Sequence, residues 1–177
     1  MKRFLLLLAS LAAATASFGA DGRTTIGGDV SHSIDKATVL PLALDDTIQF
    51  RKQIIELNDP RLFKPSFDQM INFERSRLSY GALNNYERYA RYGHYFVFFW
   101  RANRKADLTL RFEYRQQELG AYVQAKELDY KGAKGSFRSE FDIIGARYND
   151  DGKVTGWRAL LIENGKIVAL NQSFLWN

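Results

Sequence analysis

Arginine and tyrosine recur along one stretch of this 177-residue sequence, and both residue types are suited to binding. A tyrosine ring offers a large rigid surface that can stack on a sugar, and a guanidinium can form paired hydrogen bonds with an anionic group. Residues 73–115 hold nine basic and four acidic side chains, so the stretch favours an anionic partner. The candidate binding residues are Arg75, Arg77, Tyr80, Tyr86, Arg88, Tyr89, Arg91, Tyr92 and His94. The alternative is a connecting segment whose tyrosines are packed and whose arginines lie in water.

The sequence offers few groups for catalysis. It contains no cysteine and two histidines, His32 and His94, so a serine–histidine arrangement would have to use one of these two. His94 opens a predicted strand, and the favoured interpretation is a half-buried histidine with one backbone partner. Patterns typical of a phosphate-binding loop, a dinucleotide site or a nucleophile elbow do not occur. We therefore predict a protein without catalytic residues that is not an enzyme.

Two pairs of acidic residues are better explained as parts of a solvated surface and a turn than as catalytic or metal-binding carboxylates. Glu140 and Asp142 are two residues apart on a predicted strand, which is also the pattern of a solvated outer face. Asp150 and Asp151 precede Gly152 in a predicted turn, whereas calcium takes six to eight oxygen ligands at defined positions. Zinc would need a set of histidine and cysteine ligands that the sequence lacks. The sequence therefore predicts no metal site and no cofactor.

The N-terminus has the pattern of a secretory signal peptide. Lys2 and Arg3 make the start of the chain basic, and residues 4–11 are mostly apolar. Residues 14–16 have an A-x-A arrangement of small residues. The apolar stretch is shorter than the roughly 20 residues that a membrane-spanning helix needs. We expect cleavage after Ala16, with Gly19 as the alternative, no transmembrane anchor after cleavage, and a periplasmic or extracellular location.

The rest of the chain divides into three predicted parts. Residues 17–38 are rich in glycine, serine and threonine and are predicted to be a flexible leader. Residues 39–69 are predicted to be a helical or irregular extension. Its first helix would start at Asp45 or Asp46, with Phe50, Ile54 and Leu57 on one face. A capping-box pattern at residues 66–69 predicts a second helix.

Residues 70–177 are predicted to form a β-domain. Residues 95–101 are apolar on both faces, residues 107–115 alternate, and four further strand candidates follow at 121–130, 136–148, 154–163 and 166–176. A seventh strand is expected within residues 71–83. Asn164-Gly165 is typical of a two-residue hairpin turn. These features predict a mainly β fold, an antiparallel two-sheet sandwich of about seven strands preceded by one or two short helices. A small closed β-barrel is the alternative.

The strand spacing, Trp100 on an early strand and the final hairpin resemble an immunoglobulin-like or fibronectin type III-like β-sandwich over roughly residues 70–177. The Cys–Trp–Cys signature of antibody domains is absent. The closing stretch, residues 154–158 through 173–176, resembles the tail of small exported bacterial proteins of no assigned activity. The resemblance implies a sandwich scaffold.

The net charge and the predicted export limit the classes of function that the sequence favours. The formal net charge of +5 falls to +3 when Lys2 and Arg3 leave with the signal peptide, so a broad nucleic-acid-binding surface is not expected. The favoured hypothesis is an exported, non-catalytic binding or interaction module of the bacterial cell envelope. Its partner would be another envelope protein or an anionic glycan. The alternatives are a structural or assembly component of an envelope complex and a small hydrolase acting on envelope carbohydrate.

Overall fold

The computed structural model describes residues 25–26, 31–34 and 38–176, so the predicted signal peptide lies outside the described residues. The strands are β1 (Thr25–Ile26), β2 (His32–Ile34), β3 (Ile48–Asn58), β4 (Gly93–Gln116), β5 (Val123–Ile144), β6 (Val154–Glu163) and β7 (Lys166–Gln172). The helices are α1 (Gln69–Ser76), α2 (Asn85–Ala90) and α3 (Ala146–Asp151), and the 3-10 turns are Pro60–Leu62, Arg77–Ser79, Gln117–Leu119 and Phe174–Trp176. Among these helices, none is long and apolar enough to cross a membrane.

The strands form one hydrogen-bonded sheet in the order β1-β5-β4-β6-β7, with β2 also pairing with β5 and β3 with β4. β1 is parallel to β5, and every other named pair is antiparallel. The prediction of a mainly β, antiparallel fold with a few short helices is therefore confirmed. The finer predictions, a two-sheet sandwich and an immunoglobulin-like domain, stay predictions.

Strand β4 bends so sharply that its two halves face each other. The rings of Phe96 and Phe112 have centroids 4.7 Å apart, although a straight strand would separate these residues by roughly 50 Å. The ladder between β4 and β5 shifts register between Ala102 and Ala106, which places the bend there. Even-numbered side chains of both halves are buried in the space between them, namely Phe96, Phe98, Trp100, Ala102, Ala106, Leu108, Leu110, Phe112 and Tyr114. The inner surface of this folded strand forms the centre of the hydrophobic core, to which β3, β6 and β7 add Ile48, Trp157, Ala159, Leu161, Val168 and Ala169.

The predicted helix from Asp45 or Asp46 to Leu57 is wrong, because this segment contains strand β3. A bulge between Phe50 and Lys52 interrupts the alternation of this strand. Before the bulge its even-numbered residues lie opposite the inward-facing residues of β4, and after the bulge its odd-numbered residues do. Phe50 and Leu57 therefore lie opposite inward-facing residues of β4, whereas Ile54 lies opposite Val97 on the other face, so the three apolar residues at helical spacing do not share one face of the strand. The sheet therefore includes part of the predicted extension 39–69.

Two further predictions need correction. Residues 71–83 contain the end of α1 and the turn Arg77–Ser79 instead of a seventh strand. Residues 25–26 and 32–34 pair with β5, so these parts of the predicted flexible leader are held against the sheet by ladder hydrogen bonds. A helix is present after residue 66, as predicted, but the predicted capping box is not formed, because the Ser66 hydroxyl accepts a hydrogen bond from Asp68 N instead of Gln69 N. Helix α1 follows Asp68, whose side chain accepts a hydrogen bond from Met70 N at 2.8 Å.

Candidate ligand-binding cavity

Residues 59–92, which we call the connecting segment, join β3 to β4 and contain most of the predicted binding residues. The segment consists of α1, α2 and two 3-10 turns, and none of these four elements contains a buried residue. Its helices are defined by polar caps. Asn84, for example, accepts a hydrogen bond from Glu87 N at 2.9 Å and so starts α2. The connecting segment is therefore not held by a core of its own.

A buried carboxylate attaches the start of the connecting segment to α3. Asp59 accepts hydrogen bonds from Arg61 Nε and Nη2, each at 2.8 Å, and from the hydroxyl of Tyr148 at 3.0 Å. The guanidinium of Arg61 also lies 5.3 Å from the centre of the Tyr92 ring. Arg61, near the start of the connecting segment, therefore contacts Tyr92 at its end. Tyr92 is also fixed by the chain itself, because the next residue is the first of β4.

These contacts change the pKa values of both acidic partners. Burial by itself raises the pKa of Asp59, but the hydrogen bonds from Arg61 and Tyr148 outweigh it, and the net result is a pKa below the usual 3.8. Burial and the hydrogen bond to Asp59 raise the pKa of Tyr148 to about 12. At neutral pH the cluster therefore consists of an ionised Asp59, a charged Arg61 and a neutral Tyr148.

The Asp59 cluster makes stability depend on pH. Because the pKa of Asp59 is lower in the folded than in the unfolded state, its stabilisation is present above pH 3.8 and is lost as the pH falls through the folded-state pKa. We expect Asp59→Asn to lower the free energy of unfolding at pH 7 and to have a smaller effect at pH 3, as measured by urea unfolding. Asp46→Asn, which alters an exposed carboxylate, is the control. An Asp59→Asn effect equal at the two pH values would contradict the assignment.

A cavity of about 440 Å³ lies within the connecting segment. It is lined by Pro60, Ser76, Ser79, Tyr80, Gly81, Ala82, Arg88 and Tyr92, and we call it the Arg88 cavity. Arg88 is the single charged side chain in this lining. Within the described part of the chain, neither an ion pair nor a hydrogen bond engages its guanidinium. The guanidinium is therefore free to bind a group from solution.

The other lining residues are uncharged, and the hydroxyls of Ser76 and Ser79 already form hydrogen bonds within the protein. Tyr80 is 84% exposed, so its ring is open to a ligand. Tyr92 packs against Tyr89 with the ring centroids 6.1 Å apart. Ser79 exchanges hydrogen bonds with the side chain of Asn58, which donates from Nδ2 at 3.1 Å and so holds the turn against β3. Arg91 Nη1 donates to the carbonyl oxygen of Tyr80 and supports the same turn.

Comparison with protein families, curated proteins and solved structures gives no match to this chain. Its function is therefore inferred from the residues of the site. In the described ranges, no group of three or more histidine or acidic side chains is arranged to hold a metal ion.

The structure brings three of the predicted binding residues, Tyr80, Arg88 and Tyr92, into the lining of one cavity. Tyr89 and Arg91 are outside the lining, but Tyr89 contacts the ring of Tyr92 and Arg91 donates to the carbonyl oxygen of Tyr80. Sequence reasoning did not identify Pro60, Ser76 and Ser79 as lining residues, because ordinary turn and helix positions carry no signal of their own. The Asn-Asp-Pro sequence at residues 58–60, where the segment starts, was the available clue to its anchor, since Asp59 caps the turn Pro60–Leu62.

The remaining predicted residues lie apart from the cavity lining. Arg75 donates to the carbonyl oxygen of Lys64 at 3.0 Å, and Arg77 forms an ion pair with Glu56 at 2.7 Å. Tyr86 is exposed on α2. These residues are not in the lining of the Arg88 cavity.

His94 lies in β4, with its ring centroid 5.8 Å from that of Tyr148. Its Nδ1 accepts a hydrogen bond from Val154 N at 3.3 Å. Burial, together with the positive charge of Lys153, lowers the pKa of His94 to about 4. The imidazole is therefore neutral at pH 7, as expected of a histidine with a structural role.

Proposed function

We propose that this protein is an exported, non-catalytic binding module of the bacterial cell envelope and that the Arg88 cavity holds an anionic glycan. The observation that carries the proposal is the free guanidinium of Arg88 among the otherwise uncharged residues of the cavity lining. A guanidinium stays charged at every physiological pH and forms two parallel hydrogen bonds with a carboxylate. The cavity therefore favours an acidic sugar over a neutral one.

The size and lining of the cavity support a sugar as the ligand. Its volume of about 440 Å³ falls in the range of roughly 300–1,000 Å³ that small-molecule sites occupy. The exposed ring of Tyr80 supplies a face for stacking, and Tyr92, Ser76 and Ser79 lie in the same lining. A guanidinium close to an aromatic ring suits a uronic acid, because this sugar has a carboxylate and an apolar ring face.

In this proposal the folded sheet is a two-layer, immunoglobulin-like scaffold that presents the connecting segment at one end. The face-to-face contact between the halves of β4 supports two layers. Export is supported by the basic, apolar and small residues at positions 1–16. The module would then meet its glycan outside the cytoplasm.

Calorimetric titration with oligogalacturonate tests the proposal. We expect Arg88→Gln to weaken binding at least tenfold, because a hydrogen bond to a charged group contributes about 1.5–3 kcal/mol and a tenfold change in affinity corresponds to about 1.4 kcal/mol. The methyl ester of the same oligosaccharide, which lacks the carboxylate charge, should bind the unmodified protein equally weakly.

Arg51→Gln is the matched control, since Arg51 is an exposed arginine on β3 outside the cavity lining. Its substitution removes the same charge and should leave the affinity unchanged. Equal weakening by both substitutions would mean that net charge is what matters and would contradict a specific site. Absence of binding to oligogalacturonate and to a heparin fragment would also contradict the proposal.

A further inference from the structure

A second, smaller cavity adjoins the Arg88 cavity. Its volume is about 210 Å³, and its lining comes from positions 57–65 and from Asn72, Arg75 and Ser76 of helix α1. We call it the Arg75 cavity. Pro60 and Ser76 line both cavities, so the same two residues separate them. Both of these residues are exposed to solvent. The wall between the cavities therefore reaches the protein surface, where one elongated ligand can contact both.

Hydrogen bonds hold α1 against the chain that precedes it and so give the Arg75 cavity its shape. The side chain of Asn72 accepts a hydrogen bond from Ser66 N at 2.8 Å and donates one to the carbonyl oxygen of Ser66 at 2.7 Å. Arg75 Nη1 donates to the carbonyl oxygen of Lys64 at 3.0 Å. The cavity is thus formed before any ligand binds, which lowers the entropic cost of binding.

Lys64 and Arg75 bring positive charge into the lining of the Arg75 cavity. The guanidinium of Arg75 lies 5.1 Å from the centre of the Phe63 ring, which fixes its position together with the bond to Lys64. Within the described ranges, neither Lys64 nor Arg75 forms an ion pair, and Nε and Nη2 of Arg75 have no hydrogen-bond partner. Arg75 therefore has N–H groups left for an anionic ligand.

The position of these two cations distinguishes them, because the net charge of this region is zero. Residues 56–77 contain four acidic and four basic side chains. Asp59 is the one carboxylate of the lining among the described residues, and it already accepts hydrogen bonds from Arg61 and Tyr148. The lining of the Arg75 cavity thus combines two unpaired cations with one carboxylate that is already paired.

We propose that the Arg75 cavity binds a second acidic unit of the glycan held by Arg88, so that the ligand is a polyuronate. This inference rests on the proposed function of the Arg88 cavity. One uronic acid carboxylate pairs with Arg88, a carboxylate further along the same chain pairs with Arg75, and Lys64 adds a second positive charge beside it. Two separated cationic sites select a glycan with repeated carboxylates over one with a single acidic unit.

Calorimetric titration with galacturonate and trigalacturonate tests the proposal. A trimer is used because it can reach the Arg75 cavity with either the adjoining unit or the one after it. We expect trigalacturonate to bind at least tenfold more tightly than galacturonate, because its second carboxylate binds as part of the same molecule. A trimer with one free carboxylate, the other two being methyl esters, should bind about as weakly as galacturonate.

Two variants locate the second carboxylate. Arg75→Gln should abolish the gain in affinity from galacturonate to trigalacturonate and leave the affinity for galacturonate unchanged, because the Arg88 cavity is not altered. Since Arg75 also supports the backbone at Lys64, Lys64→Gln is the second variant. Lys64 is exposed and its side chain has no hydrogen bond in the described part of the chain. Its substitution should reduce the gain roughly threefold, as expected from one exposed ion pair.

The matched controls are Arg51→Gln and Lys52→Gln. Both residues are exposed on β3 and lie outside the linings of the two cavities. Each substitution removes the same charge as its counterpart in the Arg75 cavity and should preserve the full gain. Arg88→Gln, in contrast, should weaken the binding of both galacturonate and trigalacturonate.

Three results would overturn this inference while leaving the proposed function intact. The first is equal, Arg88-dependent affinity for galacturonate and trigalacturonate. The second is a gain that survives both Arg75→Gln and Lys64→Gln, which would place the second unit elsewhere. The third is a gain that the controls reduce as much as these variants do, which would assign it to net charge. Failure of the proposed function is distinguishable, because galacturonate then does not bind or binds independently of Arg88, and the inference fails with it.

Discussion

Phe112→Ala is expected to lower the free energy of unfolding by about 3–5 kcal/mol, which is a large fraction of the stability of an ordinary domain. Phe112 is fully buried in the second half of β4. Its ring centroid lies 4.7 Å from that of Phe96 and 5.6 Å from that of Phe98, both in the first half of the strand, and 5.0 Å from that of Phe141 in β5. Truncation would leave a cavity where the halves of the folded hairpin meet.

The measurement is equilibrium unfolding in urea or guanidinium, with Phe174→Ala as the matched control. Phe174 is 91% exposed, so its truncation removes the same atoms without opening an internal cavity. We expect the control to change stability by less than about 0.5 kcal/mol, as surface substitutions usually do. A loss below about 1 kcal/mol for Phe112→Ala would mean that the two halves of β4 are not in contact.

Gly93→Ala is expected to cost about 2–5 kcal/mol, which combines backbone strain with a steric overlap. Gly93 is the first residue of β4 and has φ +146°. A Cβ atom there would overlap the carbonyl oxygen of Ile143 and lie 2.8 Å from the Cα atom of Ile144. Both obstacles are backbone atoms of β5, so they cannot move away as a flexible side chain would.

Gly135→Ala is the matched control that separates the cost of backbone strain from the cost of steric overlap at Gly93. Gly135 also has a positive φ, +105°, but no heavy atom lies within 4 Å of the position that a Cβ atom would take there. Its substitution should cost roughly 1–3 kcal/mol from backbone strain alone, measured by the same unfolding experiment. Equal losses at the two positions would show that β5 does not approach Gly93 closely.

The sequence predicts the strands of this fold better than their connections. Residues 95–101 and 107–115 are correctly predicted as extended, but they are two halves of the single strand β4. The residues between them, Asn103, Arg104 and Lys105, have turn-like composition, and the chain uses them for a bend. A turn and a bend within a strand need the same local flexibility. Only the pairing of the whole hairpin distinguishes them.

Strand β5 shows the same behaviour. Residues 121–130 and 136–148 are predicted as separate strands around a glycine-containing turn, yet the ladder to β4 continues through this region. Gly132 and Gly135 have φ values of +61° and +105°, which glycine adopts readily. They allow β5 to bend with β4 without ending the strand. The glycines correctly indicated a change of chain direction. Whether the strand ends there or bends depends on its pairing with β4.

The binding residues could be recognised by type, but their grouping could not be predicted. Tyr80, Arg88 and Tyr92 lie in one cavity, and the Asp59 cluster holds both ends of the segment that forms it, through Arg61 at the start and Tyr92 at the end. That cluster joins residues 59 and 148, which are far apart in sequence. Hydrophobic periodicity carries no information on such a contact, since the helices bury no residue.

The most direct test of the central claim is to map bound oligogalacturonate by its effect on backbone amide chemical shifts. We expect saturable shifts concentrated on the residues around the Arg88 cavity, with the Nε–H signal of Arg88 among the most affected. The amides of Ser79, Gly81 and Ala82 should shift with the same affinity, because they belong to the same lining. Saturable shifts centred on another surface, such as the outer face of β5, would contradict the claim that this cavity is the ligand-binding site.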